Sequence, residues 1–227
     1  MIAALVPAKA LDQAKGRLAA LLSEDERRRL ALAMLEDVVR ALQGAARIGL
    51  IAVVSPDAEV LALARELGAQ AIQEPSSVRG INQALSHALK IMSHRALDAL
   101  LVVLADVPAV TPADIDAVLD ALPADRGAVI CPSHDRGTSV LAMRPPALIP
   151  FRFGAHSFPA HKREAAARGV PTAVLRLAAL ARDIDGPDDL RLLMSGPAGG
   201  AEAAPVRAGP ATQRLLAELR VAGRAPG

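Results

Sequence analysis

The run Leu100-Leu101-Val102-Val103-Leu104 constrains the fold more than any other segment of this chain. Five consecutive apolar residues describe a strand buried on both faces, which is the mark of a parallel sheet covered by helices. The run passes directly into Ala105-Asp106-Val107-Pro108. In open α/β sheets ligands lie outside the carboxyl ends of the strands, so Asp106 stands where a substrate or cation would be held. No Lys or Arg neighbours it in sequence to neutralise its charge.

The flanking pattern supports the same class. Ile2 to Val6 reads as a first strand ending at Pro7, Ile48 to Val54 as a second, and Ala71-Ile72 as a brief third. Between them, Ser23-Glu24-Asp25-Glu26 forms a capping box. Leu30, Met34, Leu35, Val38, Val39 and Leu42 then recur at helical spacing. Further helices are predicted over Val60 to Leu67, Ile81 to Met92, Pro112 to Leu122 behind a second capping signal at Thr111-Pro112-Ala113-Asp114, Ala160 to Arg168 and Pro187 to Met194, with strands at Ala128 to Cys131 and Val140 to Met143. Strands alternating with helices predict a single α/β domain over residues 1–194 with a doubly wound, mostly parallel sheet. From Ser195 to residue 227 the chain is rich in Gly, Ala and Pro and reads as a mobile tail, with a short amphipathic helix over Thr212 to Val221.

Composition narrows the function classes. No apolar run reaches 18 residues, so no transmembrane helix is expected, and the N-terminus lacks the basic start of a signal peptide. The lone Cys131 permits no internal disulfide and suits a cytoplasmic protein. It falls within an apolar strand and reads as core. A net charge of +2, with neither Trp nor Tyr, gives little for nucleic acid to stack upon. Arg27-Arg28-Arg29 is read as the solvated face of a helix.

Four segments could carry chemistry. The loop after the first strand holds Lys9, Lys15 and Arg17 with Gly16 among them, enough cations to neutralise a polyphosphate. It matches neither a Walker loop nor a dinucleotide fingerprint, and a plain basic surface loop remains the simpler reading of it alone. In Arg79-Gly80-Ile81-Asn82-Gln83, Asn82 could cap the next helix or read the edge of a base, and spacing leaves both open. Asp106 gains a partner in Asp183-Ile184-Asp185-Gly186-Pro187-Asp188-Asp189. Asp185 is the better second ligand for Mg2+, with Asp183 in reserve, because Asp188 and Asp189 already suit the first turn of a helix. Lastly, Gly137-Thr138-Ser139 and Phe153-Gly154-Ala155-His156-Ser157-Phe158 place hydroxyls beside glycines, a pattern suited to an anionic group. His156 and His161 are wrongly spaced for zinc, and no Gly-x-Ser-x-Gly elbow surrounds Ser157.

Taken together, Val6-Pro7-Ala8-Lys9, Ala14-Lys15-Gly16-Arg17-Leu18, Gly80-Ile81-Asn82-Gln83-Ala84-Leu85, Ala105-Asp106-Val107-Pro108, Arg144-Pro145-Pro146, the Phe153–Phe158 segment with His161, and the Asp183–Asp189 cluster resemble the 2-phospho-L-lactate guanylyltransferase family of coenzyme F-420 biosynthesis. The resemblance covers residues 1 to about 194. It implies the fold of the nucleotide-diphospho-sugar transferases, of GT-A type. It also implies GTP as co-substrate and a phosphorylated three-carbon acid as acceptor: 2-phospho-L-lactate, phosphoenolpyruvate or 3-phosphoglycerate. By the same resemblance Pro7, Lys9, Lys15 and Arg17 would hold the GTP phosphates and Gly80 with Asn82 the guanosine. Lys15, Arg17 and Asp106 would be catalytic, Asp106 and Asp185 would bind Mg2+, and Thr138, Gly154 and Ser157 would grip the acceptor. Two departures stand out: Gly16 replaces the family's usual Ser or Thr, and Gly137-Thr138-Ser139 is shorter than its Gly-Thr-Gly-Thr-Asn. A molybdopterin-type transferase would need a Gly-Gly first loop, which is absent here. The alternative from another class is a catalytically silent nucleotide-binding module, against which the presence of Asp106, Asp185 and all three first-loop cations argues. The apolar helix faces are compatible with a homodimer without specifying one.

Overall fold

A computed structural model describes residues 1–181, 183–184, 186–195 and 206–219. In chain order the elements are β1 (Ile2–Pro7), α1 (Glu24–Gly44), β2 (Ile48–Ser55), α2 (Ala58–Glu66), β3 (Gln70–Gln73), α3 (Ile81–Met92) and β4 (Ala99–Val103). There follow α4 (Pro112–Ala121), β5 (Gly127–Pro132), β6 (Thr138–Arg144), α5 (Ser157–Ala167), β7 (Thr172–Val174), α6 (Pro187–Ser195) and α7 (Pro210–Leu219). The capping signals are realised. Ser23 and Glu26 exchange side-chain and backbone hydrogen bonds at the start of α1, and Thr111 and Asp114 do so at α4 behind Pro112.

The strands form one sheet in the order β3-β2-β1-β4-β6-β5-β7. Of these seven, β6 alone runs against the rest, pairing antiparallel with both β4 and β5. Side-chain alternation divides the strands between two apolar layers. Ala4, Val6, Val53, Leu101 and Val103 face Leu35, Val38 and Leu42 of α1 and Ile115 and Val118 of α4. Leu5, Val54, Leu100 and Val102 face Leu85 and Met92 of α3, joined by Phe151 and Phe153. Each large aliphatic side chain fully buried this way is worth roughly 1.5–3 kcal/mol, so the central strands anchor everything hung from their ends.

Of the expected C-terminal tail, 196–205 and 220–227 lie outside the described residues, while 206–219 is folded and carries α7 close to the helix expected over Thr212 to Val221. Ala208, Leu215, Leu216 and Leu219 are buried in a third apolar cluster with Leu18, Leu22, Leu30 and Met34, so α7 is part of the domain. Helix α5 begins three residues before the predicted start, and β7 was not anticipated.

Candidate active site at the carboxyl edge of the sheet

The loop after β1 is pinned at both ends. Ala8 donates to the Val54 carbonyl (2.9 Å), extending the pairing with β2. Leu11 donates to Asp57 Oδ2 (3.0 Å), while Asp57 Oδ1 caps α2 through Glu59 and Val60. Leu18 is fully buried at the far end. Between these pins Lys15 takes the left-handed conformation (φ 54°, ψ 36°), a strained state for a residue with a Cβ and one concentrated at functional sites. That turn swings its ammonium back to Asp106 Oδ2 at 3.1 Å. Lys9, Gly16 and Arg17 are exposed along the same loop, and Pro7 is the buried last residue of β1.

Asp106 sits in the turn that leaves β4. Its Oδ1 is buried and has no hydrogen-bond partner among the described residues. Its backbone carbonyl accepts from Ile184 N–H (3.1 Å), so the acidic segment predicted to join it is in contact with it. Asp185, the expected second ligand, lies outside the described residues. Asp183 is largely buried, 3.3 Å from His134 Nδ1. Asp189 Oδ2 accepts from Gly186 N–H (2.8 Å) at the start of α6, and Asp188 pairs with Arg191, which are helix-end roles. His134 is a site residue that sequence reasoning missed. It lies in the β5–β6 turn, and only the folded chain brings it to Asp183.

Among the described residues, no three Asp, Glu, His or Cys side chains gather closely enough to ligate one ion. Mg2+ ordinarily takes one or two carboxylates and completes its shell with substrate phosphates and water. The orphaned Asp106 Oδ1 fits that requirement.

On the neighbouring side, β6 starts where β4 ends, and Leu104 N–H donates to the Ser139 carbonyl (3.1 Å). Here the expected hydroxyl grips meet a correction. Thr138 and Ser157 are each 2% exposed. Thr138 Oγ1 lies 3.0 Å from His161 Nδ1, whose Nε2 accepts from Arg152 N–H (2.9 Å). The network therefore assigns the ring proton to Nδ1, donated to Thr138. Burial, helped by the nearby Arg152, pushes His161 down to about 4, so the ring is neutral. Both nitrogens serve structure. The exposed groups at this end are Gly154 (φ 131°), His156 (φ 56°) and Arg136 (φ 72°), whose carbonyl holds Phe158 N–H at the head of α5.

Asn82 does not cap α3; Gly80, at φ 77°, occupies that position. The Asn82 amide pairs with the Phe153 backbone instead, donating to its carbonyl (2.9 Å) and accepting its N–H (2.7 Å). Asn82 thus ties the start of α3 to the loop that leads into α5.

Cations on the first loop, a strand-end carboxylate with an open oxygen and the β5–β6 hairpin share one edge of the sheet, an arrangement suited to a phosphate-bearing ligand. The family match below makes the chain a nucleotidyltransferase. The fold agrees: a nucleotide-diphospho-sugar transferase assignment from Desulfovibrio desulfuricans G20 superposes with a TM-score of 0.71 at 18% identity, covering 96% of each chain. A nucleotidyl transferase from Methanothermobacter gives 0.62 at 16% identity, over 84% of this chain and 94% of the other. The chain belongs to the CofC-like guanylyl transferase family, whose model matches residues 2–202. It is 45% identical to the phosphoenolpyruvate guanylyltransferase of Sphaerobacter thermophilus over 84% of this chain and 91% of that one. The phosphoenolpyruvate guanylyltransferase of Rubrobacter xylanophilus is 41% identical (90% and 98% covered), and the 3-phospho-D-glycerate guanylyltransferase of Phenylobacterium zucineum 38% (82% and 86%). No helix among the described residues is long and apolar enough to cross a membrane.

Proposed function

We propose that this chain joins GMP from GTP to the phosphate of phosphoenolpyruvate, releasing pyrophosphate, as a step in coenzyme F-420 biosynthesis in the cytoplasm. The observation that carries the choice of acceptor is the 45% and 41% identity to two phosphoenolpyruvate guanylyltransferases over nearly their whole lengths.

The bond that forms joins an acceptor phosphate oxygen to the α-phosphorus of GTP, and the bond that breaks is the one to the β-phosphate bridge. A phosphate monoester has its second pKa near 6, so the nucleophile is ionised at neutral pH and needs no general base. Catalysis then consists of alignment and charge neutralisation. Lys9, Lys15 and Arg17 take the triphosphate at the end of β1, with Gly16 and the last strand residue, Pro7, keeping the backbone close. Gly80, free of a Cβ, leaves room for the guanosine, and Asn82 sets the position of the loop that faces it. Asp106, with Asp185 as the expected partner, would hold Mg2+, which when bound supplies positive charge to the reacting phosphates. Gly154 and the backbone around Thr138 and Ser157 form the acceptor end, the two hydroxyls shaping it from within.

The test is mass-spectrometric detection of product from GTP and Mg2+ with phosphoenolpyruvate, 3-phosphoglycerate or 2-phospho-L-lactate, and with CTP, ATP and UTP in place of GTP. Guanylylated phosphoenolpyruvate is the expected product. Product with another acid alone, or with another nucleotide alone, overturns the assignment.

A further inference from the structure

We propose that α7 clamps the Asp106 turn and that Asp37, in the middle of α1, holds the clamp shut as a positioning residue. Asp37 is 4% exposed. Its Oδ1 accepts from Ala211 N–H and its Oδ2 from Thr212 N–H, both at 2.9 Å. A helix start leaves its first N–H groups without partners, and Pro210 at the first position has none to offer. The second and third donors of α7 are therefore taken by a carboxylate 174 residues away in sequence.

One residue earlier, Gly209 N–H donates to the Pro108 carbonyl at 2.7 Å. Pro108 belongs to the turn that carries Asp106, and that turn is closed by Val110 N–H on the Val107 carbonyl (3.1 Å). A Cβ on Gly209 would lie 2.4 Å from Asp37 Cγ, so the approach admits only glycine without a shift. The clamp also has an apolar side. Leu215 and Leu216 of α7 share one cluster with Leu18 behind Lys15, Ala109 behind Asp106 and Ile184 beside Asp183. Helix α7 thus shares one apolar cluster with all three segments that meet at the site.

Apolar contact alone would bury α7, but it is non-directional. A buried carboxylate is costly unless fully hydrogen-bonded, and it fixes the helix axis and register to a fraction of a turn. That directional restraint is what the 2.7 Å bond to Pro108 requires. The inference rests on Asp106 being the catalytic carboxylate of the proposed transfer.

The full-length chain, wild type and as Asp37→Ala, Asp37→Asn and Gly209→Ala, is compared by amide hydrogen exchange and by steady-state kinetics with GTP, phosphoenolpyruvate and Mg2+. Asp37→Ala and Gly209→Ala are expected to speed exchange at residues 107–110 by about tenfold while β2 and α3 stay unchanged, and to lower kcat by about tenfold with the KM for GTP within about threefold. Asp37→Asn keeps one acceptor oxygen and falls between. Unchanged exchange at 107–110, or a rise shared equally by β2 and α3, overturns the clamp. If Asp37→Ala does not fold, Gly209→Ala carries the same two readings. Wild-type protein that releases no pyrophosphate overturns the proposed reaction, while the exchange comparison still decides the clamp.

Discussion

Lys15 and Asp106, 91 residues apart, meet as an ion pair in which the lysine is the more buried partner, at 8% side-chain exposure against 27%. Lysine is seldom held so far from water without a task, and here the left-handed backbone at Lys15 is what aims it. Lys15→Met keeps the length and removes the charge. It is expected to lower kcat/KM for GTP by about 10²–10³, in line with the loss of one preorganised charged donor at a reacting phosphate. Lys15→Arg should recover little, because a planar fork cannot replace a compact ammonium in the same space. Pyrophosphate release measured against GTP concentration checks both.

Asp106→Ala separates chemistry from folding. The side chain lies in a turn and packs little, so the melting temperature should stay within about 4 °C of wild type. Turnover should fall by about 10²–10³. Differential scanning fluorimetry beside the pyrophosphate assay reads the two effects, and full turnover in this variant would remove Asp106 from the mechanism.

His161 should make the fold sensitive to mild acid. Its folded pKa is depressed to about 4 by burial, against an unperturbed value near 6.5. The unfolded chain therefore binds the extra proton between those values, and stability rises with pH across that window. The contribution is complete above about 6.5 and is lost as pH falls to about 4, amounting to about 3 kcal/mol. Urea unfolding at a series of pH values from 4 to 7.5 should show this slope, and His161→Gln should flatten it between pH 5 and 6.5.

Asn82→Asp tests the tie to Phe153. The replacement still accepts the Phe153 N–H but turns a second oxygen toward the Phe153 carbonyl, where the amide had donated. The expected loss is about 1–3 kcal/mol at neutral pH, the cost of an unmet buried polar group. Asn82→Ala should cost no more than the aspartate, and both should raise the KM for acceptor as well as for GTP. An aspartate variant as stable as wild type would overturn the tie between α3 and the Phe153 loop.

Much of the scaffold was legible because it is local. Strands β1, β2 and β4 are apolar runs, and α1 and α4 carry their capping boxes within four residues. What escaped is what depends on distant partners. The run Val140 to Met143 is equally apolar in either direction, so nothing in it announces that β6 is reversed. Helix α5 starts ahead of the expected Ala160 because Pro159 falls in its first turn, where no N–H is required. Helix α7 is expected from Thr212, two residues after its start, but its docking onto the domain is not, because its fastening, Asp37, lies in another helix. Within the site, Lys15 and Asp106 could be placed from strand ends alone. The inward turn of Thr138 could not, since its direction is set by His161 across the fold.

The reversal of β6 bears on how such a site can change over time. The turn from Ser133 to Gly137 belongs to a hairpin, whereas the cation loop and the Asp106 turn hang from parallel strands with their own crossovers. Residues can be gained or lost in that turn without disturbing the register of β1, β2 or β4. The hairpin end of the edge can therefore drift while the loops after β1 and β4 stay fixed. Under the proposed function, edits confined to this hairpin are expected to change the preference among three-carbon acids while leaving the KM for GTP unaltered.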